Sequence, residues 1–585
     1  MTNTKDNTWL IVRKAYLKLF PVQILGIVVA AINGFIDSLI TSRFLGTDAL
    51  AAIGFFGPVA TIIGITWVLT TGIQILCSQA IGSGDKDKVI SLYSTGFFVL
   101  SVFGILVTVI CLVFHNNLAF LLGGRGDVAD MLSRYIMGYA PGITGQVLSG
   151  VLMVFLPFNN DTRRSYIGIG TLIVSNLLMD LLNVLVLQWG CFGMGLATTV
   201  SYLLSSAVML TGFIGTNKTI HLSFSDLSYA FIPHAAYLGL PNLMFALGCT
   251  AKGYIINIAL MKNVGDAAVA VMNIQNNIIA ILGAVPMGCA GALLTLASLY
   301  YGDGDRKSLV IVTKLAGRIG LILSATISVL LMLGASVIPS LFFSHGDEAW
   351  GIAQRMLILF PNWLVLNLLF NIIMKIYQCQ EKMLLVNALT FAENVVIAII
   401  AATLTVYIGA DGVWISFSLC ETLFLIVVMI SVFMNSHKVT FSLEDWMKLS
   451  DDFGAGENDY MEFSLHSMDE VINISEQVVE FCKAKGLDKK RSMMAGLAIE
   501  EMAGNVVEHG FNDSKKHSID VRIVTEDNLT IRVRDDCREF DPQKYLEQFS
   551  QEDPTKNIGL KIITSMAKEV SYQNNAGINT LLIKA

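Results

Sequence analysis

Residues 49–84 read ALAAIGFFGPVATIIGITWVLTTGIQILCSQAIGSG and carry no charged side chain. A helix needs about 20 mostly apolar residues to cross a bilayer, so this stretch is long enough to span a membrane. Four further charge-free stretches are also long enough, and they cover residues 135–160, 181–217, 267–302 and 319–344. With the shorter apolar runs they predict twelve transmembrane helices, whose approximate centres are Val29, Ile63, Phe103, Leu148, Leu172, Leu203, Cys249, Gly283, Ser328, Leu366, Ile397 and Leu425. The predicted fold class of this region is an all-α polytopic membrane protein.

The composition of the chain excludes a purely water-soluble fold. Of its 585 residues, 54% are hydrophobic and 15% are charged, and the mean hydropathy is +0.62. A soluble fold cannot bury that much apolar surface, so the excess must face lipid. Charged residues are sparse up to about Phe433 and frequent from His437 onward, which predicts a membrane region followed by a soluble region. The net charge of −7 is small and dispersed, and no nucleic-acid partner is expected.

Basic residues in the connecting segments predict the orientation of the chain in the cell membrane. Fifteen of them fall on the side of the N-terminus: Lys5, Arg13, Lys14, Lys18, Lys86, Lys88, Arg163, Arg164, Lys218, Arg306, Lys307, Lys314, Arg318, Lys375 and Lys382. Five fall on the other side: Arg43, Arg125, Arg134, Lys262 and Arg355. Because lysine and arginine are enriched in cytoplasmic connections, both termini are expected in the cytoplasm.

The membrane region repeats itself at an offset close to 220 residues. The segment Gly82-Ser83-Gly84-Asp85 is matched by Gly302-Asp303-Gly304-Asp305, and Pro21 and Pro141 are matched by Pro241 and Pro361. Six helices in each repeat is an even number, so both halves run through the membrane in the same direction, related by a pseudo-twofold axis along its normal. The sequence therefore predicts two six-helix bundles in parallel repeat, at residues 1–220 and 221–436.

Two carboxylates lie within the predicted spans of the first half. Asp37 belongs to span one, and Asp180 belongs to span five, four residues after Asn176, so the last two side chains share a helix face. A charged group in the hydrocarbon is costly by about 2.5 to 3.5 kcal/mol, which favours a functional role. Together with the hydroxyl of Thr198 in span six, these groups supply oxygen ligands for a small cation such as Na+, or they share a proton. The alternative is that they only bond neighbouring helices.

Three segments resemble the multidrug and toxic compound extrusion (MATE) family, namely residues 36–52, 82–85 and 193–198 (GMGLAT). The resemblance covers roughly residues 10–434. It implies an antiporter that takes up Na+ or H+ and exports an organic, usually cationic, compound. The family pattern places a cation site in the N-terminal half, which in this sequence corresponds to Asp37, Asn176, Asp180 and Thr198.

The second half departs from this pattern. Asn257 occupies the position that corresponds to Asp37, and Glu393 lies close to the position that corresponds to Asn176. Lys252 and Glu393 are the two charges expected within the spans of this half, and two interpretations of Glu393 stay open. It pairs with Lys252 across the bundle, or it faces the substrate cavity and attracts a cationic compound. Asn257, and Asn273 and Asn276 of span eight, are expected to line that cavity or to bond neighbouring helices.

A linker at residues 437–460 leads into a soluble domain at residues 461–585. Residues 461–465 predict a strand and residues 469–485 an amphipathic helix. Alternating apolar residues at 518–524 and 529–534 predict a hairpin, and residues 580–583 predict a further strand. The domain is therefore expected to be α+β.

Three segments of this domain resemble the histidine-kinase-like ATPase superfamily, and the anti-sigma-factor serine kinases in particular. They are residues 498–510 (AIEEMAGNVVEHG), 535–542 (DDCREFDP) and 557–560 (NIGL). The resemblance implies that Asn505 holds Mg2+, Glu501 activates the attacking group, Asp535 accepts a hydrogen bond from adenine, and Gly559 lies against the phosphates of ATP. Cys537 stands where the family has glycine, and a domain that has kept only the fold is the alternative.

Three classes of function follow. The first is a cation-coupled efflux antiporter with a cytoplasmic nucleotide-binding regulatory domain, whose partners are a small organic substrate, membrane lipid and a cytoplasmic regulatory protein. The second is a membrane-bound sensor with serine-kinase output. The third, an ATP-driven pump, is disfavoured because the sequence contains no G-x-x-x-x-G-K-[ST] phosphate loop.

Overall fold

The computed structural model describes residues 7–213, 220–436, 442–456, 458–510, 517–526, 528–549 and 558–585. Within these ranges eleven helices are long and apolar enough to cross a membrane, and a pair bent by 45° makes a twelfth span. In order, the spans are Asn7–Phe44, Thr47–Ser83, Lys86–Val113, Gly126–Asn159, Thr162–Leu187, Gly190–Phe213, Ile232–Asn263, Asp266–Gly302, Arg306–Ser336, Glu348–Leu359 with Asn362–Cys379, Met383–Ile408 and Asp411–Met434. Each of the twelve predicted centres lies in its own span, so the predicted membrane fold is confirmed.

The sequence repeat is visible in how the helices begin. Asp85 accepts a hydrogen bond from the backbone N–H of Lys88 and caps span three, while Asp305 accepts one from Ser308 and caps span nine. A side-chain oxygen at this position satisfies one of the backbone donors that a helix start leaves free. Gly84 ends span two with a positive φ of 84°, which glycine adopts without strain.

The two halves meet at the end of the bundle where the chain begins. Gln74 of span two donates to the Thr295 hydroxyl of span eight at 2.7 Å. Close by, Gly82 packs on the backbone of Leu299, and Gly302 packs on the backbone of Gln79. A Cβ at Gly82 would lie 2.0 Å from the Leu299 carbonyl oxygen, so this close approach requires glycine. We call residues 82–85 and 302–305, the two matching segments of the repeat, the glycine loops. The helix ends that precede them form a seam between the halves, defined here as the contact of residues 74–82 with residues 295–302.

The C-terminal domain is a five-stranded antiparallel sheet with helices on one face, which confirms the predicted α+β class. The strands are β1 (Tyr460–Leu465), β2 (Ile519–Val524), β3 (Thr530–Asp535), β4 (Glu569–Asn575) and β5 (Ile578–Lys584), in the order β1-β2-β3-β5-β4. The helices are Met468–Ala484, Lys489–Ala498, Pro542–Phe549 and Ile558–Met566. β4 was not predicted, because its sequence EVSYQNN lacks a clear apolar alternation.

The predicted linker packs against the membrane region in the part of it that the structure describes. It contains a short helix at Leu443–Met447, and the Met447 side chain is buried in the core of the membrane region. Phe453 stacks on Tyr301 with ring centroids 4.8 Å apart. Residues 437–441 and 457 of the predicted linker lie outside the described residues, as do residues 214–219 at the expected boundary between the halves.

Candidate functional site

Asp37 of span one and Asp180 of span five meet inside the first half. Their carboxyl groups lie close enough for each to interact with the other electrostatically. The side chains of Asp180 and Asn176 are completely buried. Within the described residues, none of their polar side-chain atoms has a hydrogen-bond partner. Buried polar atoms are nearly always partnered, so this group of oxygens fits a shared proton or a small cation.

Aromatic hydroxyl groups surround the two carboxyl groups. Tyr135, Tyr139 and Tyr202 lie near enough to Asp37 to interact with its charge. The Tyr139 hydroxyl donates to Gln146 at 2.8 Å. These tyrosines were not predicted to lie at the site, although Tyr135 and Tyr139 are four apart and therefore share one face of span four.

Thr198 is placed differently from the other three residues of the expected cation site. It is largely buried, and its hydroxyl donates to the carbonyl oxygen of Met194 in the same helix at 3.3 Å. In the described part of the chain no hydrogen bond joins it to either carboxylate. Its hydroxyl oxygen keeps lone pairs, but the structure does not place it in direct contact with Asp37 or Asp180.

The second half contains a buried cluster of acidic and amide groups. Glu421 of span twelve accepts hydrogen bonds from Asn367 at 2.7 Å and from Trp363 at 3.2 Å. Glu393 of span eleven accepts one from Asn367 at 3.4 Å and lies close enough to Glu421 to interact with its carboxyl group. The cluster therefore holds two carboxyl groups, as the site of the first half does.

This cluster corrects two predictions. Glu421 is a further buried acidic residue within the spans of this half, and it was missed as a single acidic residue in a long apolar run. Lys252 does not form a direct ion pair with Glu393 within the described residues; its Nζ lies 5.2 Å from the centroid of the Phe417 ring. Glu393 is only 4% exposed, and its expected place at the substrate cavity stays a prediction.

The three asparagines expected at the substrate cavity are all exposed side chains on spans seven and eight. Asn257 lines an open cleft of about 480 Å³ together with Tyr254 and Met261. Asn273 and Asn276 lie on one exposed face of span eight, whereas their neighbour Gln275 is completely buried.

The residues expected to bind ATP gather on the helix-covered face of the C-terminal sheet. The helix that carries Glu501 and Asn505 widens into π-helical turns at Ile499–Ala503 and Val506–Gly510, a distortion frequent at functional sites. The Glu501 side chain packs directly on Gly559, since a Cβ there would lie 2.1 Å from the Glu501 carboxyl carbon. Asn557, part of the third motif, lies outside the described residues.

Asp535 ends β3 and is held by two donors. Its Oδ1 accepts from the backbone N–H of Cys537 at 2.9 Å and from the Asn579 amide at 2.7 Å. Burial raises the pKa of Asp535 to about 6, although these hydrogen bonds oppose the rise. Cys537 packs against Gly510, where an added Cβ would lie 2.8 Å from the sulfur. The cysteine therefore occupies space beside Asp535 that a glycine would leave free.

Two family models match this chain. The MatE model matches residues 24–182 and residues 243–404, one match in each half. The model of the histidine kinase-like ATPase domain matches residues 466–584.

Similar proteins support the same division. The chain is 24% identical over 378 residues to the probable multidrug resistance protein YoeA of Bacillus subtilis, an alignment that covers 61% of this chain and 78% of YoeA. It is 22% identical over 425 residues to the multidrug export protein MepA of Staphylococcus saprophyticus, with coverage of 72% and 93%.

Solved structures share the fold of the membrane region. A crystal structure of MATE in complex with MaL6 aligns with a TM-score of 0.66 and 22% identity, covering 73% of this chain and 97% of that one. A MOP superfamily transporter from Pyrococcus furiosus aligns with a TM-score of 0.65 and 21% identity, covering 77% and 100%.

Proposed function

This chain belongs to the MatE family of multidrug efflux transporters and carries a histidine kinase-like ATPase domain at its C-terminus, and on that premise we propose that it exchanges Na+ or H+ for an organic, mainly cationic, compound. The observation that carries the proposal is the proximity of the Asp37 and Asp180 carboxyl groups, close to the buried and unpartnered amide of Asn176. Two carboxyl groups this close together repel each other when both are ionised. The pair must therefore bind H+ or Na+ to offset this repulsion.

The exchange of H+ or Na+ for an organic compound follows from the negative charge of this carboxyl pair. A proton or Na+ neutralises the pair, and release of that cation restores a negative charge that attracts a cationic compound into the space between the halves. Asp37 is the member of the pair that is partly exposed, whereas Asp180 is completely buried. We assign to Asp37 the contact with the exchanged ligands and to Asp180 the storage of the proton or Na+. Thr198 remains a candidate ligand for the cation.

Flux measurements in proteoliposomes test this proposal. We expect an imposed Na+ or H+ gradient to drive uptake of a cationic dye without ATP, and Asp37→Asn to lower the rate at least about tenfold, because an amide cannot take up the coupling proton. Asp48→Asn is the matched control, since Asp48 is an exposed aspartate outside the pair. Flux that requires ATP, or a normal rate in Asp37→Asn, would contradict the proposal.

For the C-terminal domain we propose ATP binding with Mg2+. The contact between Glu501 and Gly559, with Asn505 on the same helix, supports a phosphate site, and Asp535 supports an adenine site. The geometry favours a regulatory or serine-kinase role over energy supply, because the coupling site lies in a separate domain. Binding of labelled ATP to the full chain, compared with Asn505→Ala and with Glu480→Ala as surface control, tests this assignment.

A further inference from the structure

The face of the C-terminal sheet that carries no helices bears three arginines, which also pair with two acidic residues of the same face. Alternation along β3 places Ile531 and Val533 in the core of the domain and Arg532 and Arg534 on the opposite face. Arg522 of β2 pairs with Arg532 across the two strands and lies on the same face. These three arginines, called the docking face below, are each no more than 5% exposed, so the membrane region covers them.

The docking face binds the glycine loop of the second half. Arg532 forms ion pairs with Asp303 and with Asp305, the latter at 2.9 Å. Arg534 lies 3.2 Å and Arg522 3.3 Å from the carboxylate of Asp305. Such charges are strongly favourable only while they stay paired, and an unpartnered member of a buried pair is costly.

The same domain also binds the first half. The Asn7 side chain donates to the backbone of Ile519 at 3.1 Å, and Lys14 pairs with Asp536 at 2.8 Å. On the loop that precedes span three, the Ser571 hydroxyl donates to the Gly84 carbonyl at 3.1 Å. The domain is therefore anchored on both halves at once.

The turn between β4 and β5 reaches into the junction of the halves. Ala576 and Ile578 belong to the hydrophobic core of the membrane region and not to that of their own domain. The backbone N–H of Ala576 donates to the Pro157 carbonyl of the first half at 3.1 Å. A small cavity of about 40 Å³ at this point is lined by the first half, the second half and the domain, represented by Ile81, Leu299 and Ile578.

We propose that the C-terminal domain is an inhibitory clamp that holds the two halves together along the seam. The inference rests on the proposed transport function, because alternating access requires the halves to separate on this side of the membrane in every cycle. A domain that is bound to both glycine loops must release at least one of them before the seam can open. The clamp thus lowers the transport rate of the intact chain, and its release is the regulated step.

Charge reversal at the docking face tests the clamp. Arg532→Glu places a carboxylate against Asp303 and Asp305, and we expect about a tenfold increase in transport rate by the full chain in proteoliposomes. Asp303→Arg, a change in the loop and not in the folded domain, should have a similar effect. Combining the two substitutions restores an ion pair of reversed polarity and should return the rate towards that of the wild type. Arg491→Glu is the control, since Arg491 is an exposed arginine that pairs with Asp488 within the domain.

A distance measurement separates failure of the clamp from failure of the transport proposal. Spin labels at Lys88 in the first half and Leu384 in the second report the separation of the halves on the side of the domain, whether or not the protein transports. We expect Arg532→Glu to increase the population with a long distance about tenfold and the double variant to restore the short one. Wild-type distances in both single variants would overturn the clamp, as would a double variant that stays as open as either single variant.

Discussion

At the scale of single residues, the titration of Asp535 predicts how nucleotide binding depends on pH. Burial raises its pKa from the ordinary 3.8 to about 6. The carboxylate, the stronger acceptor for an adenine amino group, is therefore the main form only above about pH 6, and we expect ATP affinity to fall by up to about tenfold per pH unit below it. The same shift makes the domain lose stability as pH rises from about 4 through 6, because the folded state holds its proton more tightly than the unfolded one.

Calorimetric titration of the full chain with ATP between about pH 5 and about pH 7.5 measures this dependence. Asp535→Asn is the control, since it keeps an acceptor oxygen but no longer titrates. ATP itself also takes up protons in this range, so the relevant quantity is the difference between the two proteins. Parallel pH curves for both would show that Asp535 is not in contact with adenine.

At the scale of elements, close packing between spans two and seven predicts a strong effect of a single methyl group. A Cβ at Gly239 would lie 1.6 Å from the Val68 carbonyl oxygen, whereas a Cβ at Gly253 of the same helix meets nothing within 4 Å. Gly239→Ala should lower the free energy of unfolding by about 2 kcal/mol, because overpacking outweighs the better helix propensity of alanine. Gly253→Ala should be neutral or stabilising. Thermal unfolding of both proteins in detergent checks this pair, and equal melting temperatures would contradict the packing.

At the scale of the whole molecule, the C-terminal domain packs at the end of the helix bundle where span one begins. The Asn7 side chain donates to the backbone of Ile519 in β2, so the start of span one and the C-terminal domain are expected on the same side of the membrane. The charge bias of the connections predicts that this side is the cytoplasm. A cysteine introduced at the exposed Glu480 should therefore resist an impermeant maleimide added to intact cells. A cysteine at Glu348, before span ten on the opposite side, should react; the reverse pattern would invert the orientation.

The sequence alone was sufficient for the architecture because architecture depends on local and periodic properties. A helix must be about 20 apolar residues long to cross the bilayer, so the long apolar runs predict the membrane spans. All twelve spans were predicted in this way. The offset near 220 residues predicts two equivalent halves, and the equal caps at Asp85 and Asp305 follow from the repeat. The four-residue spacing of Asn176 and Asp180 places them on one helix face.

The tertiary structure decided which buried charges meet. Glu393 was expected to pair with Lys252 or to face a cavity, and the packing of spans eleven and twelve also places it beside Glu421, which the sequence did not indicate. Arg532 and Asp303 are 229 residues apart, and their pairing depends on how a soluble sheet docks on two membrane bundles. Neither hydropathy nor periodicity contains that information. Whether a segment lies in water or in lipid depends on its own residues, so this property can be predicted from the sequence of that segment. The contacts between buried charges form only when separate elements pack together, so they depend on the tertiary structure.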